Sequence, residues 1–286
     1  MRYAFIREHS GCVSTLCRLL QVSCSGYYAW RERGESVRHA RDRELLGHIQ
    51  RVHQASRRSY GALKTWKELQ AQGVACGKHR VARLRQQAGI EALRKRRFRV
   101  TVEYHHMSPA APNHVRQHFH APAPDRIWVG DATFIRTRAG FLHLAVLLDL
   151  YSRRVVGWAM GERPNLPLAM SALDMAIIQR EPKPGLVHHT DQGGLYRARQ
   201  YLQHMQRHGM TVSMSAKGNA YDNAVAESFF SNLKNELVHH CDFQTREQAR
   251  AAIFDYIEVF YNRQRRHQTL GYISPAEFEA KNGVSC

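Results

Sequence analysis

No run of eighteen apolar residues occurs in this chain of 286, so the sequence offers no helix able to cross a bilayer. Arg2, Arg7, Glu8 and Arg18 interrupt the first twenty residues and leave no apolar core for a secretory signal, so a cytoplasmic location is expected. The six cysteines, Cys12, Cys17, Cys24, Cys76, Cys241 and Cys286, include no Cys-x-x-Cys pair, which argues against a disulfide framework in a reducing compartment. Neither His114, His118 and His120 nor His239, His240 and Cys241 has the second paired locus of a structural zinc site, so they are read as surface or linker residues. No four heptads of apolar a and d positions are present, so the sequence shows no leucine zipper.

Acidic residues are few. Only 24 Asp and Glu stand against 42 Lys and Arg, and the net charge of +18 with a pI near 10.1 predicts attraction to a polyanion. The excess is uneven: residues 1–125 carry 23 basic and 9 acidic side chains, residues 126–286 carry 19 and 15. The basicity is therefore largely an N-terminal property, which fits a nucleic-acid partner or a solvated basic surface, and no membrane partner is expected.

Short apolar stretches over residues 1–40 predict a small helical segment. Over 41–93 the spacing of Leu45, Ile49 and Val52 predicts one helix. Leu63, Trp66 and Leu69 predict a second ending near Gly73, and Val81, Leu84 and Ala88 a third. Helix, Gly-containing turn, helix is the geometry of a DNA reader, and about 100° per residue places His79, Arg83 and Gln86 opposite the apolar side of the third helix. Residues 94–124 read as a basic linker with scattered Pro and His, in which Arg96 and Arg97 are candidate phosphate contacts.

From 125 to 286 the pattern changes to α/β. Ile127–Ile135, Phe141–Asp149, Val155–Ala159, Leu186–Thr190 and Thr211–Ser215 read as strands. Leu166–Gln179, Tyr201–His208 and the stretch from Asn223 read as helices, which together make a layered fold with a mixed sheet. Three carboxylates have telling places: Asp131 in the first strand, Asp191 at the end of a strand and before the chain-breaking Gln192-Gly193-Gly194, and Glu227 on a helix, with 35 residues between it and Asp191. A set of hard oxygen ligands suits Mg2+, with Mn2+ as substitute, and two such ions can serve both sides of a phosphorus in an in-line displacement.

Lys234 follows Glu227 by seven residues, within about 20° of the same helix face, where a cation can hold a phosphate beside the scissile bond. Asp149 also ends a strand but reads as a turn cap with Arg153 as its partner, and Asp222 with Asn223 as the N-cap of the Glu227 helix. In the tail, Phe254, Ile257 and Phe260 read as core, and Arg265 and Arg266 as phosphate contacts.

Trp128-Val129-Gly130-Asp131-Ala132-Thr133-Phe134, Asp149-Leu150-Tyr151-Ser152-Arg153-Arg154-Val155-Val156-Gly157-Trp158 and His188-His189-Thr190-Asp191-Gln192-Gly193 carry a resemblance. So do Ala220-Tyr221-Asp222-Asn223-Ala224-Val225-Ala226-Glu227-Ser228-Phe229-Phe230 and Tyr261-Asn262-Arg263-Gln264-Arg265-Arg266-His267-Gln268-Thr269-Leu270-Gly271-Tyr272. With Val22–Trp30 and Arg58–Gly61, these stretches closely resemble second-reading-frame transposases of the bacterial insertion-sequence-three family, whose core is similar to that of retroviral integrases.

The resemblance implies a ribonuclease-H-like core preceded by an all-α helix-turn-helix region, and a DDE triad of Asp131, Asp191 and Glu227 binding two Mg2+ ions. It implies cleavage at element ends followed by strand transfer, with double-stranded DNA of terminal repeats and target as substrate. It also implies a homo-oligomer on DNA, an upstream reading frame joined by frameshifting, and a bacterial cytoplasmic protein that is nucleoid-associated when bound to DNA. A nuclease of the same fold that never joins, or a non-catalytic DNA-binding subunit of a longer fusion, stays open at this point.

Overall fold

The structure, a computed structural model, describes residues 2–93, 111–116, 118–215 and 223–284. Arg96, Arg97 and Asp222 lie outside the described residues. The chain divides into two compact units, residues 1–51 and 52–286.

In the first unit, α1 (Arg2–Glu8), α2 (Val13–Leu19) and α3 (Cys24–Glu32) enclose Ile6, Cys17 and Tyr27. Ser23 caps α3 by accepting the Gly26 N–H at 3.0 Å. Helix α4 spans Val37–Ala55, and its Leu45, Ile49 and Val52 are buried at the helical spacing that their sequence positions predict.

The second unit opens with α5 (Ala62–Ala71) and α6 (Lys78–Gln87), the expected helix pair. Gly73 takes the left-handed conformation (φ 75°) that lets its own N–H and that of Val74 close on the last carbonyls of α5. Trp66 Nε1 then donates to the Cys76 carbonyl at 2.9 Å and fixes the turn. The buried face differs from the expected one. Leu63 is 45% exposed while Thr65 and Leu69 turn inward, and Ala88 is the exposed C-cap of α6. The reason is Arg85, buried on α6, which donates to Thr65 Oγ1 and to the Tyr60 carbonyl, both at 3.0 Å. A polar joint holds the pair together where apolar periodicity predicts Leu63.

The C-terminal part is built on five strands, β1 (Ile127–Thr137), β2 (Gly140–Asp149), β3 (Val155–Gly161), β4 (Val187–Thr190) and β5 (Thr211–Met214), ordered β3-β2-β1-β4-β5. The first three form an antiparallel meander, while β4 joins β1 and β5 joins β4 in parallel. Helix α7 (Leu166–Arg180) packs on one face, capped at its start by Asn165 and built around Leu168, Ala172, Leu173 and Ala176. It comes so close to β3 that a Cβ on Gly157 would lie 2.3 Å from the Ala172 carbonyl oxygen. Helix α8 (Arg199–Arg207) shares that core through Tyr201 and Met205. On the other face, α9 (Ala224–Glu236) and α10 (Arg246–Phe254) cover Val129, Ile135, Leu142, Leu144 and Val146. This is the mixed α/β, ribonuclease-H-like arrangement that the resemblance implies.

The tail departs in part from the expected core of Phe254, Ile257 and Phe260. After α10 the chain widens into a π-helical segment over Asp255–Tyr261, which buries Tyr256, Ile257 and Phe260 but leaves Phe254 50% exposed against Trp158. The terminal helix α11 (Pro275–Lys281) delivers Glu279 into the core, where Ser152 Oγ, Arg154 and Arg180 all donate to its buried carboxylate. The α5–α6 pair rests on the same tail. Tyr60 accepts the Arg266 N–H at 2.7 Å, Glu68 pairs with the Arg266 guanidinium, and Arg57 pairs with Asp255.

Candidate active site

Parallel pairing of β1 with β4 brings the two aspartates together. Val129 stands opposite His189, two residues before Asp131 and Asp191 respectively, and the negative charge of Asp191 acts on the Asp131 carboxyl. Close approach of these strands requires a glycine, since a Cβ on Gly130 would lie 2.8 Å from His188 Cε1. His188 and His189 are fully buried and hydrogen-bonded, His188 to Tyr201 at 2.8 Å and His189 to Ser213 at 2.8 Å, which locks β4 to α8 and β5. Beyond the strand the turn closes on itself, with the Gly193 N–H donating to Asp191 Oδ1 at 2.9 Å.

Glu227 comes from α9, whose start is anchored to β1. Asn223 occupies the N-cap position but makes no capping hydrogen bond. Its Nδ2 instead reaches the Gly130 carbonyl at 3.4 Å, one residue before Asp131. Ala226, Phe229, Phe230 and Leu233 then bury the helix, leaving Glu227 exposed and Lys234 half-buried.

The electrostatics agree with this geometry. The half-buried Asp131 carboxyl is pushed up to about 8, first by burial and then by the negative charges of Asp191 and Glu227, against the pull of the Ala132 N–H at 2.7 Å and of Lys234. Burial also raises Glu227 and lowers Lys234, on which Asp131 acts in the opposite sense. The site thus gathers negative charge with one cation beside it. Its donor set is oxygen only, which fits a hard divalent cation and not zinc, although among the described residues no three such groups already stand within ligating reach of one point.

Tyr196 was not foreseen. Its buried hydroxyl has no hydrogen-bond partner, and burial together with the charges of Asp131 and Asp191 pushes its pKa far up. The Tyr196 N–H donates to the Gly193 carbonyl at 3.1 Å, so the tight turn after Asp191 is what directs the ring inward. That glycine turn, with a tyrosine just beyond it, is the sequence signal that could have found it.

The other expected residues fall into distinct places. His79 and Gln86 are exposed on α6, and Arg83 beside them bonds Gln87 at 3.0 Å. Arg265 and Arg266 differ from the expected phosphate contacts: Arg265 is buried against Glu236, and Arg266 is held by Glu68 and the Tyr272 carbonyl. Asp149 caps its turn through the Tyr151 N–H at 2.8 Å, but its charged partner is Arg180, while the Arg153 side chain bonds the Phe119 carbonyl.

Family comparisons bear on this geometry. Two family models described as integrase core domain match residues 121–220 and 227–282, and one described as HTH-like domain matches residues 40–98. The transposase InsF of insertion sequence IS3A from Escherichia coli K12 is 40% identical over 288 residues, 99% of either chain. The chain belongs to the IS3 family of transposases. This IS3-family transposase is also 43% identical to the 31 kDa protein of insertion element IS600 from Shigella sonnei, over 93% of its own length and 98% of that protein. Among solved structures, a simian T-cell lymphotropic virus intasome aligns at 16% identity and TM-score 0.46 over 60% of this chain and 59% of that one. The HTLV-2 integrase catalytic core in complex with magnesium aligns at 17% identity and TM-score 0.43 over 55% and 97%. The transposase therefore joins an HTH-like domain to an integrase core, the domain of polynucleotidyl transferases.

Proposed function

We propose that Asp131, Asp191 and Glu227 form the DDE site at which this transposase cleaves the ends of its element and joins them to a second DNA strand. The observation that carries the reading is that Asp191 and Glu227 both act on Asp131, whose carboxyl is raised to about 8 first by burial and then by those two charges. A cluster held at such electrostatic cost suits a positively charged ligand. Two Mg2+ ions, or Mn2+ in their place, held by these carboxylates would supply Lewis acidity to the scissile phosphate and to the attacking hydroxyl.

Lys234, on the face of α9 that carries Glu227, holds a neighbouring phosphate and fixes the strand in line for attack. Water first displaces the 3′ oxygen of the element end, its proton passing to bulk solvent. The freed 3′ hydroxyl then attacks a second phosphodiester, and one P–O bond forms for each one broken. No covalent protein–DNA intermediate enters. His79, Arg83 and Gln86 on the exposed side of α6 read DNA, and Arg96 and Arg97, in the basic run that follows in the sequence, contact phosphates. Because two ends must meet, the active form is a homo-oligomer on DNA, and the chain works as the second frame of a fusion.

The test incubates labelled DNA carrying the ends of the element with Mg2+ or Mn2+ and compares wild type with Glu227→Gln on a denaturing gel. Cleaved and joined products that vanish in the variant support the reading. Cleavage without joining points to a nuclease, and products of equal yield in both overturn the triad.

A further inference from the structure

The far end of the β1–β2 hairpin leaves two phenylalanines in solvent. Phe134 is 53% and Phe141 50% exposed, and strand alternation with the pairing of Phe134 to His143 and Arg136 to Phe141 puts all four side chains on one face. The two phenyl rings meet edge to face at 5.2 Å, and the His143 ring lies 6.5 Å from Phe134. Aromatic area left in water gains little for folding.

The hairpin is nevertheless held firmly. The Arg138 N–H donates to the Phe243 carbonyl at 2.9 Å, and its guanidinium grips Asp242 at 3.0 and 3.1 Å. Arg246 Nε donates to the Phe141 carbonyl at 3.2 Å. The rings are presented on a fixed support, the condition under which an aromatic surface binds at low entropic cost.

Their position relative to the candidate active site identifies the occupant. Phe134 follows Asp131 by three residues of strand, about 10 Å. Strand β4 flanks β1 only at Ile127–Val129, and among the described residues no strand flanks it on that side from Gly130 onward. Past that open edge Lys234, from the helix on the opposite face, places its ammonium 5.6 Å from the centre of the Phe134 ring. A cation that tracks phosphate beside aromatic faces that take bases is the pattern of single-strand binding.

We propose that Phe134 and Phe141 are a stacking platform for an unpaired nucleobase of the DNA strand whose phosphate Lys234 holds. The platform thus deepens the proposed reaction and rests on the assignment of Lys234 to a phosphate. It gives the transposase a preference for frayed ends, where the base next to the scissile bond has left its partner. The positive charge of the chain and the neighbouring Arg136 favour a nucleic acid over an apolar protein segment.

Two probes test it without chemistry, with Ca2+ in place of Mg2+: a blunt duplex, and the same duplex ending in a four-nucleotide single-stranded tail that carries 2-aminopurine. The wild type is expected to bind the tailed probe more tightly and to quench 2-aminopurine by stacking. Phe134→Ala with Phe141→Ala should lose between about fivefold and a hundredfold in tailed-probe affinity, keep blunt-duplex affinity and abolish quenching. Phe134→Trp should restore both. Equal affinity of wild type and double variant for the tailed probe overturns the platform, as does an equal loss on both probes. A change in sedimentation of the DNA-free protein, with binding unaltered, assigns the patch to self-association and also overturns it. Lys234→Ala tests the assignment beneath: weaker binding of both probes supports the phosphate contact, and unchanged binding of both removes it, whatever the phenylalanine variants show.

Discussion

Arg265 grips both carboxylate oxygens of Glu236, Nε to Oε2 at 2.9 Å and Nη2 to Oε1 at 2.7 Å, and Tyr256 donates to the same group at 2.8 Å. Both side chains are nearly enclosed. The pair joins the end of α9 to the segment after the π-helical turn, so it holds the helix of Glu227 and Lys234 against the tail.

Removing one partner leaves a buried charge without its counterpart. Arg265→Ala should cost about 3–5 kcal/mol in urea unfolding. Arg263→Ala, two residues away and exposed, should leave stability unchanged. A stable Arg265→Ala protein whose DNA affinity falls instead would return Arg265 to the phosphate contacts.

The carboxylate cluster predicts a metal-dependent gain in stability. A divalent ion that binds only the folded chain adds about 2.7 kcal/mol at a hundred times its Kd. Thermal unfolding of the wild type should therefore rise on titration with Mn2+, and Asp131→Asn should abolish most of that rise. The same variant in chelator should be as stable as wild type or more so, because it removes a carboxyl held up by burial and by the charges of Asp191 and Glu227. Equal Mn2+ shifts in both proteins would place the ion elsewhere.

Burial pushes the His188 imidazole down to about 4, from an ordinary value of 6.5. Above 6.5 it is neutral in both states, and its contribution is fully present. As pH falls toward 4 the unfolded chain takes up a proton that the folded chain refuses, and stability is lost. Asp149 acts with the opposite sign: burial raises it to about 7, so its contribution is lost as pH rises toward that value. The two slopes oppose, and a difference measurement separates them. Between pH 7 and 4.5, His188→Gln should lose about 2–3 kcal/mol less unfolding free energy than the wild type. Parallel pH profiles would show that His188 does not carry the effect.

The elements that carry the candidate site residues were legible in the sequence where local pattern alone defines them. Asp131 lies inside an apolar strand, Asp191 at a strand end before glycines, and Glu227 and Lys234 one heptad apart on a helix, so each could be placed without knowledge of any other element. Roles set by distant partners were not legible. Arg265 and Arg266 look like a basic cluster until Glu236 and Glu68 are found beside them, 29 and 198 residues away. Asp149 was read with the nearby Arg153, but its partner Arg180 stands 31 residues on. Leu63 and Phe254 follow helical periodicity yet face solvent, since the buried Arg85 and a π-helical turn redirect the faces of their helices.

Arg83 and Arg85 on α6 show how two neighbours of identical chemistry divide between binding and stability. Arg85 points inward to Thr65 and Tyr60, so Arg85→Ala strands buried acceptors and should cost about 1–3 kcal/mol in urea unfolding. Arg83 lies on the outer side near His79 and Gln86. Arg83→Ala should leave the unfolding curve in place, weaken DNA binding, and reduce the slope of log affinity against log salt by about 1, the signature of one lost phosphate contact. If Arg83→Ala leaves the salt slope and the affinity unchanged, α6 does not face DNA. The exposed side of the helix pair would then be a solvated surface, and reading of the element ends would fall to other segments.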